Sequence, residues 1–260
     1  MPQLTDRASI RRILEADRLW AVYALADLEP GFFKHTRWFS SAGEGPGVAL
    51  IYSGFGVPVL ITIGKVEEFR AILDEVEATL NPPQLYIVVQ PEIIPLLRER
   101  YELSQEKAMQ RMVLDPTRYQ SGVMDGVVEL GPAHLEAVRR LYADGETSGE
   151  APDWFMPEML VHGVYYGVRE AGELVAVAGT HVVSVSEGVG CIGNIYTRRD
   201  RRGRGFGTQV TAAVTARLLS VKLETIALNV GADNVSAIRV YERLGFRRHC
   251  GFVEAVAIKV

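Results

Sequence analysis

The residues best suited to chemistry lie in one stretch, Gly193-Asn194-Ile195-Tyr196-Thr197-Arg198-Arg199-Asp200-Arg201-Arg202-Gly203-Arg204-Gly205-Phe206-Gly207-Thr208. A β-forming run leads into an arginine-loaded glycine loop, and a helical pattern begins at about Thr208. Such a loop aims backbone N–H groups and the positive end of a helix dipole at one point. Glycines at alternate positions, 203, 205 and 207, remove the Cβ atoms that would hold an anion away from those amides. The chemistry implied is diphosphate binding. A Walker loop is excluded, because GxxxxGK[ST] does not occur. The dinucleotide fingerprint G-x-G-x-x-G fails as well, since the glycines here fall as G-x-G-x-G. A plain solvated loop and an RNA-binding patch are the competing readings of the arginines. A formal net charge of −4 weighs against nucleic acid, which rewards excess Lys and Arg.

The elements that position this loop follow from apolar periodicity. At 260 residues the chain can form one large or two ordinary domains, and 48% hydrophobic with 23% charged residues is a globular composition. A helix is expected over 8–27, stopped by Glu29-Pro30-Gly31, then a short strand over 37–40. Residues 45–64 carry no charge, but Gly47, Gly54, Gly56 and Pro58 interrupt them. Two strands, about 48–52 and 57–63, explain that stretch better than a membrane-spanning helix. An amphipathic helix over 65–78, a strand over 84–90, a helix from Pro91 to Tyr101 and a strand over 108–114 complete the first half.

Asp115-Pro116 and the polar run 120–126 mark the expected boundary between domains 1–120 and 127–260. The order of elements then repeats: a helix over 132–143, a short helical segment near Met159, and strands over 164–170, 174–185 and 190–196. A helix over 208–219, a strand over 225–230, a helix over 234–244 and at most two strands in 246–260 follow. The first half has Gly64-Lys65-Val66-Glu67-Glu68 where the second has its glycine loop, and acidic residues there would repel a phosphate. The fold class expected is α/β (α+β), a mixed, mostly antiparallel sheet flanked by helices in two similar halves.

A second motif supports the loop: Asn229-Val-Gly-Ala-Asp-Asn234-Val-Ser-Ala237-Ile-Arg-Val-Tyr241-Glu-Arg-Leu244-Gly245-Phe246. Together with Arg202-Gly203-Arg204-Gly205-Phe206-Gly207, this segment resembles the GNAT superfamily of N-acetyltransferases, whose acyl-CoA loop reads [Q/R]-x-x-G-x-[G/A]. The resemblance covers about 127–260, with a degenerate GNAT-like half before it.

The resemblance implies a wedge between strands 190–197 and 225–230 that pantetheine fills, with backbone groups of Ile195, Tyr196 and Thr197 pairing with its amides. It implies that the amides from Gly203 to Thr208 hold the pyrophosphate, with charge-assisted bonds from Arg202 and Arg204. Asn229 ends the strand and Asn234 caps the next helix, Ala237 allows close approach of the cofactor, and Tyr241 protonates or hydrogen-bonds the departing thiolate. Many relatives place a Glu base on the strand before the loop. Asn194 sits near that region here and cannot be a base. His181 is the preferred base, with Glu187, His162, Asp153 and a water relay as alternatives.

The expected activity is direct acetyl transfer from acetyl-CoA to a primary amine of a small molecule or peptide, without metal, nucleic acid or membrane. A non-catalytic acyl-CoA sensor and an acyltransferase for longer acyl chains are the alternatives. Two cysteines far apart, Cys191 and Cys250, and a polar start to the chain suggest a cytoplasmic setting.

Overall fold

The computed structural model describes residues 3–41, 47–122, 124 and 126–260. Positions 45 and 46 of the charge-free stretch, and 123 and 125 of the expected linker, lie outside the described residues. The chain divides into two compact units that interleave in sequence. The first comprises residues up to Arg111 with Val230–Asn234 and His249–Val260, and the second comprises Met112–Asn229 with Val235–Arg248.

The first unit runs β1 (Gln3–Leu4), α1 (Arg7–Leu14), α2 (Val22–Ala26), α3 (Pro30–Phe33), β2 (Thr36–Ser40), β3 (Val48–Tyr52), β4 (Val59–Ile63), α4 (Phe69–Leu80), β5 (Gln84–Val89), α5 (Ile94–Arg98) and, up to Arg111, β6 (Tyr101–Leu114). Asp6 caps α1 by accepting from the backbone N–H of Ser9 at 2.9 Å. The single helix expected over 8–27 is broken into α1, a tight turn and α2. At the break Trp20 is buried, and its indole N–H donates to the Thr62 carbonyl at 2.7 Å. The Arg111 guanidinium, itself buried, lies 5.0 Å from the Trp20 ring and 5.2 Å from that of Tyr23. That nest overrides helical propensity.

β3 and β4 are buried along their whole length, as strands covered on both faces should be. Among the described residues no helix is long and apolar enough to cross a membrane. β2 to β4 are antiparallel neighbours, and β4 pairs with β5 in parallel through the crossover helix α4. Phe69, Ile72 and Leu73 of α4 pack on Phe39, Ile51, Leu60 and Ile87 of the sheet. α4 begins later than expected, at Phe69, because Val66–Glu68 forms a 3₁₀ turn first.

The second unit holds β7 (Val127–Glu129), α6 (Leu135–Glu146), α7 (Met159–His162), β8 (Tyr166–Glu170), β9 (Glu173–Ser184), β10 (Val189–Thr197), α8 (Phe206–Ser220), β11 (Thr225–Gly231) and α9 (Val235–Arg243). β7 to β10 are antiparallel in chain order, and β10 pairs with β11 in parallel across α8. The arrangement of β2 to β5 around α4 is thus repeated by β8 to β11 around α8. In each unit the strand pairing is mixed and mostly antiparallel, flanked by helices.

One long strand, β12 (Phe246–Lys259), replaces the two expected at the C-terminus. Within the first unit it pairs antiparallel with β5, from Val253↔Val89 to Ile258↔Gln84. α9 reaches β12 through Gly245, whose φ of +101° favours glycine. A Cβ there would also fall 2.8 Å from the Arg118 carbonyl carbon. Gly245→Ala is expected to cost at least the ~1–3 kcal/mol of a strained backbone conformation, read as a lower denaturation midpoint.

Candidate active site

β10 is the element on which the site is built. Its parallel ladder with β11 runs from Val189↔Thr225 to Ile192↔Leu228, so the stretch from Gly193 to Thr197 extends beyond it. On its other edge the register with β9 shifts between Gly193↔Gly179 and Tyr196↔Val177, where Asn194 and Ile195 face the single residue Ala178. That is a β-bulge, and it bends the strand and re-aims its side chains. Asn194 adopts φ +53°, a left-handed conformation that Asn tolerates better than most residues.

The bulge is held from α6 and α7. Tyr142, on α6, donates its O–H to the Asn194 carbonyl at 2.8 Å. The Asn194 side chain lies 2.7 Å from the Tyr165 hydroxyl, 3.3 Å from Met159 Sδ and 3.3 Å from His181 Nε2. Burial raises the Tyr142 and Tyr165 phenols above their ordinary values, which keeps both protonated as donors. Tyr142, Phe155 and Tyr165 form an edge-to-face chain with centroids 5.1 and 6.2 Å apart. Beside it opens a cleft of about 730 Å³ lined by Glu136, Arg139, Glu146, Asp153 and Phe155.

Past Thr197 the chain turns through Arg199–Arg201 into α8, which starts at Phe206, two residues earlier than expected. Gly203 (φ +75°) and Gly205 (φ +84°) both require glycine, and no atom lies within 4 Å of the place a Cβ would take on either. Gly205 is the N-cap and offers no side chain to the helix. The first intrahelical bond here is from Gln209 N–H to the Gly205 carbonyl, so the amides of Phe206, Gly207 and Thr208 point out of the helix end. Donors under bare glycines fit a diphosphate.

The arginines are all drawn to carboxylates. Arg202 donates to Glu150 at 2.7 Å, and Arg204 makes two bonds to Glu170 at 2.6 and 2.8 Å. Arg201 reaches the same Glu170 at 2.9 Å. The Arg202 bond, with Ser148, pulls the Glu150 carboxyl down to about 2. Asp144 accepts from the Tyr196 hydroxyl at 2.8 Å and from the Arg199 N–H at 3.0 Å, pinning the start of the loop. Tyr196 is pushed up to about 12, first by burial and then by that carboxylate.

Of the remaining sequence candidates, Asn229 lies on β11, one residue past the last ladder pair, and Asn234 directly precedes α9. Ala237 and Tyr241 are on α9. Tyr241 is buried, its ring 6.3 Å from that of Phe246, and burial raises its phenol well above the ordinary value. His181 sits against the bulge. Glu187 is in the turn before Val189, at the end of β10 remote from the loop, which separates it from the glycines. The bridging roles of Tyr142, Asp144 and Tyr165 escaped the sequence. A glycine inside a strand, Gly193, is the one sequence feature that could have pointed to the bulge.

Comparison with known proteins gives the same second unit. The profile of the acetyltransferase (GNAT) family matches residues 134–246. Mycothiol acetyltransferase of Tsukamurella paurometabola is 34% identical over 100 residues, which is 37% of this chain and 34% of the relative. The chain thus spans about a third of the length of the curated relatives it matches. Among solved structures, a Drosophila protein superposes with a TM-score of 0.71 at 12% identity, covering 99% of this chain and 97% of that one. A tandem GNAT protein from the clavulanic acid biosynthesis pathway superposes with a TM-score of 0.57 at 15% identity, covering 99% and 98%. These two likenesses concern the fold. The glycine-capped helix end and the strand that outruns its ladder both fall within residues 134–246, the segment that matches the GNAT acetyltransferase family.

Proposed function

We propose that the protein is an acetyl-CoA-dependent N-acetyltransferase that moves the acetyl group directly from CoA to a primary amine. The observation that carries this reading is the end of the β10–β11 ladder at Ile192↔Leu228, beside the open amides of Phe206 to Thr208. An extended pantetheine would add to β10 as a strand does, along Ile195, Tyr196 and Thr197. The pyrophosphate would lie on the helix end at Gly203, Gly205 and Gly207, where Arg202 and Arg204 could exchange their carboxylates for it.

The acceptor amine, with a pKa near 10 for a lysine-like group, must lose a proton before it attacks. His181 takes that proton. The nitrogen–carbon bond forms, a backbone N–H near Ile195 supports the oxyanion, and the carbon–sulfur bond breaks. Tyr241, kept protonated by burial, donates a hydrogen bond to the departing thiolate. The cleft lined by Tyr142, Asp153 and Phe155 would receive the amine.

One observation favours a second reading, a non-catalytic acyl-CoA sensor: Asn194 occupies the strand ahead of the loop, and an amide is no base. CoA release measured across an amine panel separates the two, since the sensor binds CoA without turnover on any amine. For the enzyme, Tyr241→Phe is expected to lower kcat by roughly 10²–10⁴-fold with little change in the KM for acetyl-CoA. Unchanged turnover would remove the tyrosine from the mechanism. Gly205→Ala, which strains the N-cap and puts a methyl group in the donor path, is expected to raise the acetyl-CoA Kd about tenfold or more by calorimetry.

A further inference from the structure

The wall of the cleft and the glycine loop meet at one ion pair. α6 ends at Glu146, and the turn that follows it supplies Gly149 and Ala151 to the cleft lining, ahead of Pro152 and Asp153. The backbone of this turn hangs on a single acceptor. The N–H groups of Ser148, Glu150 and Ala151 lie 3.2, 3.0 and 3.3 Å from the Gly145 carbonyl, which has two lone pairs to share among them. Position 145 is itself confined, since a Cβ there would fall 2.8 Å from the Ala151 nitrogen and 2.9 Å from the Tyr196 hydroxyl. The short bonds of the turn are made by a side chain instead. Glu150 accepts from Ser148 Oγ at 2.8 Å and from Arg202 at 2.7 Å, and a charge-assisted bond is the stronger kind. Arg202 is seated in turn on β10: its Nε donates to the Thr197 carbonyl at 3.2 Å, and its guanidinium carbon lies 5.7 Å from the centre of the Tyr196 ring.

We propose that Glu150 is a positioning residue that ties the cleft wall to the glycine loop through Arg202, so that a diphosphate bound on the loop loosens the wall and the two sites are coupled. The proposal rests on the CoA reading of the loop. An anion at Gly203–Gly207 competes with the Glu150 carboxylate for one guanidinium. When Arg202 turns to the anion, Glu150 keeps Ser148, a partner within its own turn, and the turn falls back on the shared Gly145 carbonyl. Coupling of this kind is reciprocal, so an acceptor that prefers the loosened wall binds the CoA-loaded protein more tightly than the free protein.

Hydrogen–deuterium exchange of the full chain, read on peptides covering 147–153 with and without saturating CoA, tests the tie, and calorimetry on the same samples reports CoA binding. In the wild type CoA is expected to speed exchange of this segment severalfold. Glu150→Gln is expected to exchange at the CoA-loaded rate whether or not CoA is present. It is also expected to bind CoA up to about fivefold more tightly, the fold-change of removing an exposed ion pair as competitor. Glu146→Gln, which removes an equal charge that is not paired with Arg202, is expected to keep the wild-type response; losing it there too makes the response a general effect of charge and counts against the tie. CoA that binds without changing the segment, or a Glu150→Gln chain that still responds, overturns the proposal while the CoA reading stands. A wild type that binds no CoA removes that reading, and the proposal with it.

Discussion

The second unit depends on β10 serving two neighbours that make different demands. Parallel pairing with β11 needs a regular strand, and it persists for four register pairs, Val189↔Thr225 to Ile192↔Leu228. Antiparallel pairing with β9 continues further, but only by admitting two residues opposite one at Asn194 and Ile195. A one-residue shift reverses which face each later side chain occupies. The bulge therefore decides both where the backbone leaves β11 and where Tyr196 enters the aromatic cluster with Tyr142 and Phe155. Backbone groups that leave a sheet need other partners, and an extended ligand is one way to supply them.

The electrostatics of the loop are local and balanced. Glu170 gathers Arg201 and Arg204, Glu150 takes Arg202, and Asp200 takes Arg198. Such exposed pairs contribute little to stability and exchange partners readily. The cluster is thus compatible with an acidic chain overall, and with arginines that an incoming anion draws away from their carboxylates. Asp144 differs from the others, since it binds a phenol and a backbone amide as well as a guanidinium. It fixes the geometry of the loop entrance.

Much of this was readable in the chain, for identifiable reasons. The loop 202–207 and the helix after it depend on glycine positions and local periodicity, which short-range sequence carries. The strands around them alternate or run apolar as their burial requires. What could not be read was chosen by contacts distant in sequence: Glu150 and Glu170 as the partners of arginines, the turn that lets Trp20 reach the Thr62 carbonyl, and β5 as the neighbour of β12. Asn194 shows the limit most clearly. Its residue type ruled out a carboxylate base, yet its bridging amide became visible only with Met159, Tyr165 and His181 around it.

The pairing of β12 with β5 also orders events in time. The first unit has α4, β4 and β5 assembled long before the ribosome reaches position 253, but the edge of β5 that β12 covers stays open until the end of synthesis. An apolar strand edge left waiting is a template for wrong partners. Nascent domains ordinarily close one after another, whereas here the earlier unit closes last. Its maturation is coupled to completion of the later one, so a chain interrupted within the second unit leaves the edge of β5 exposed rather than covered.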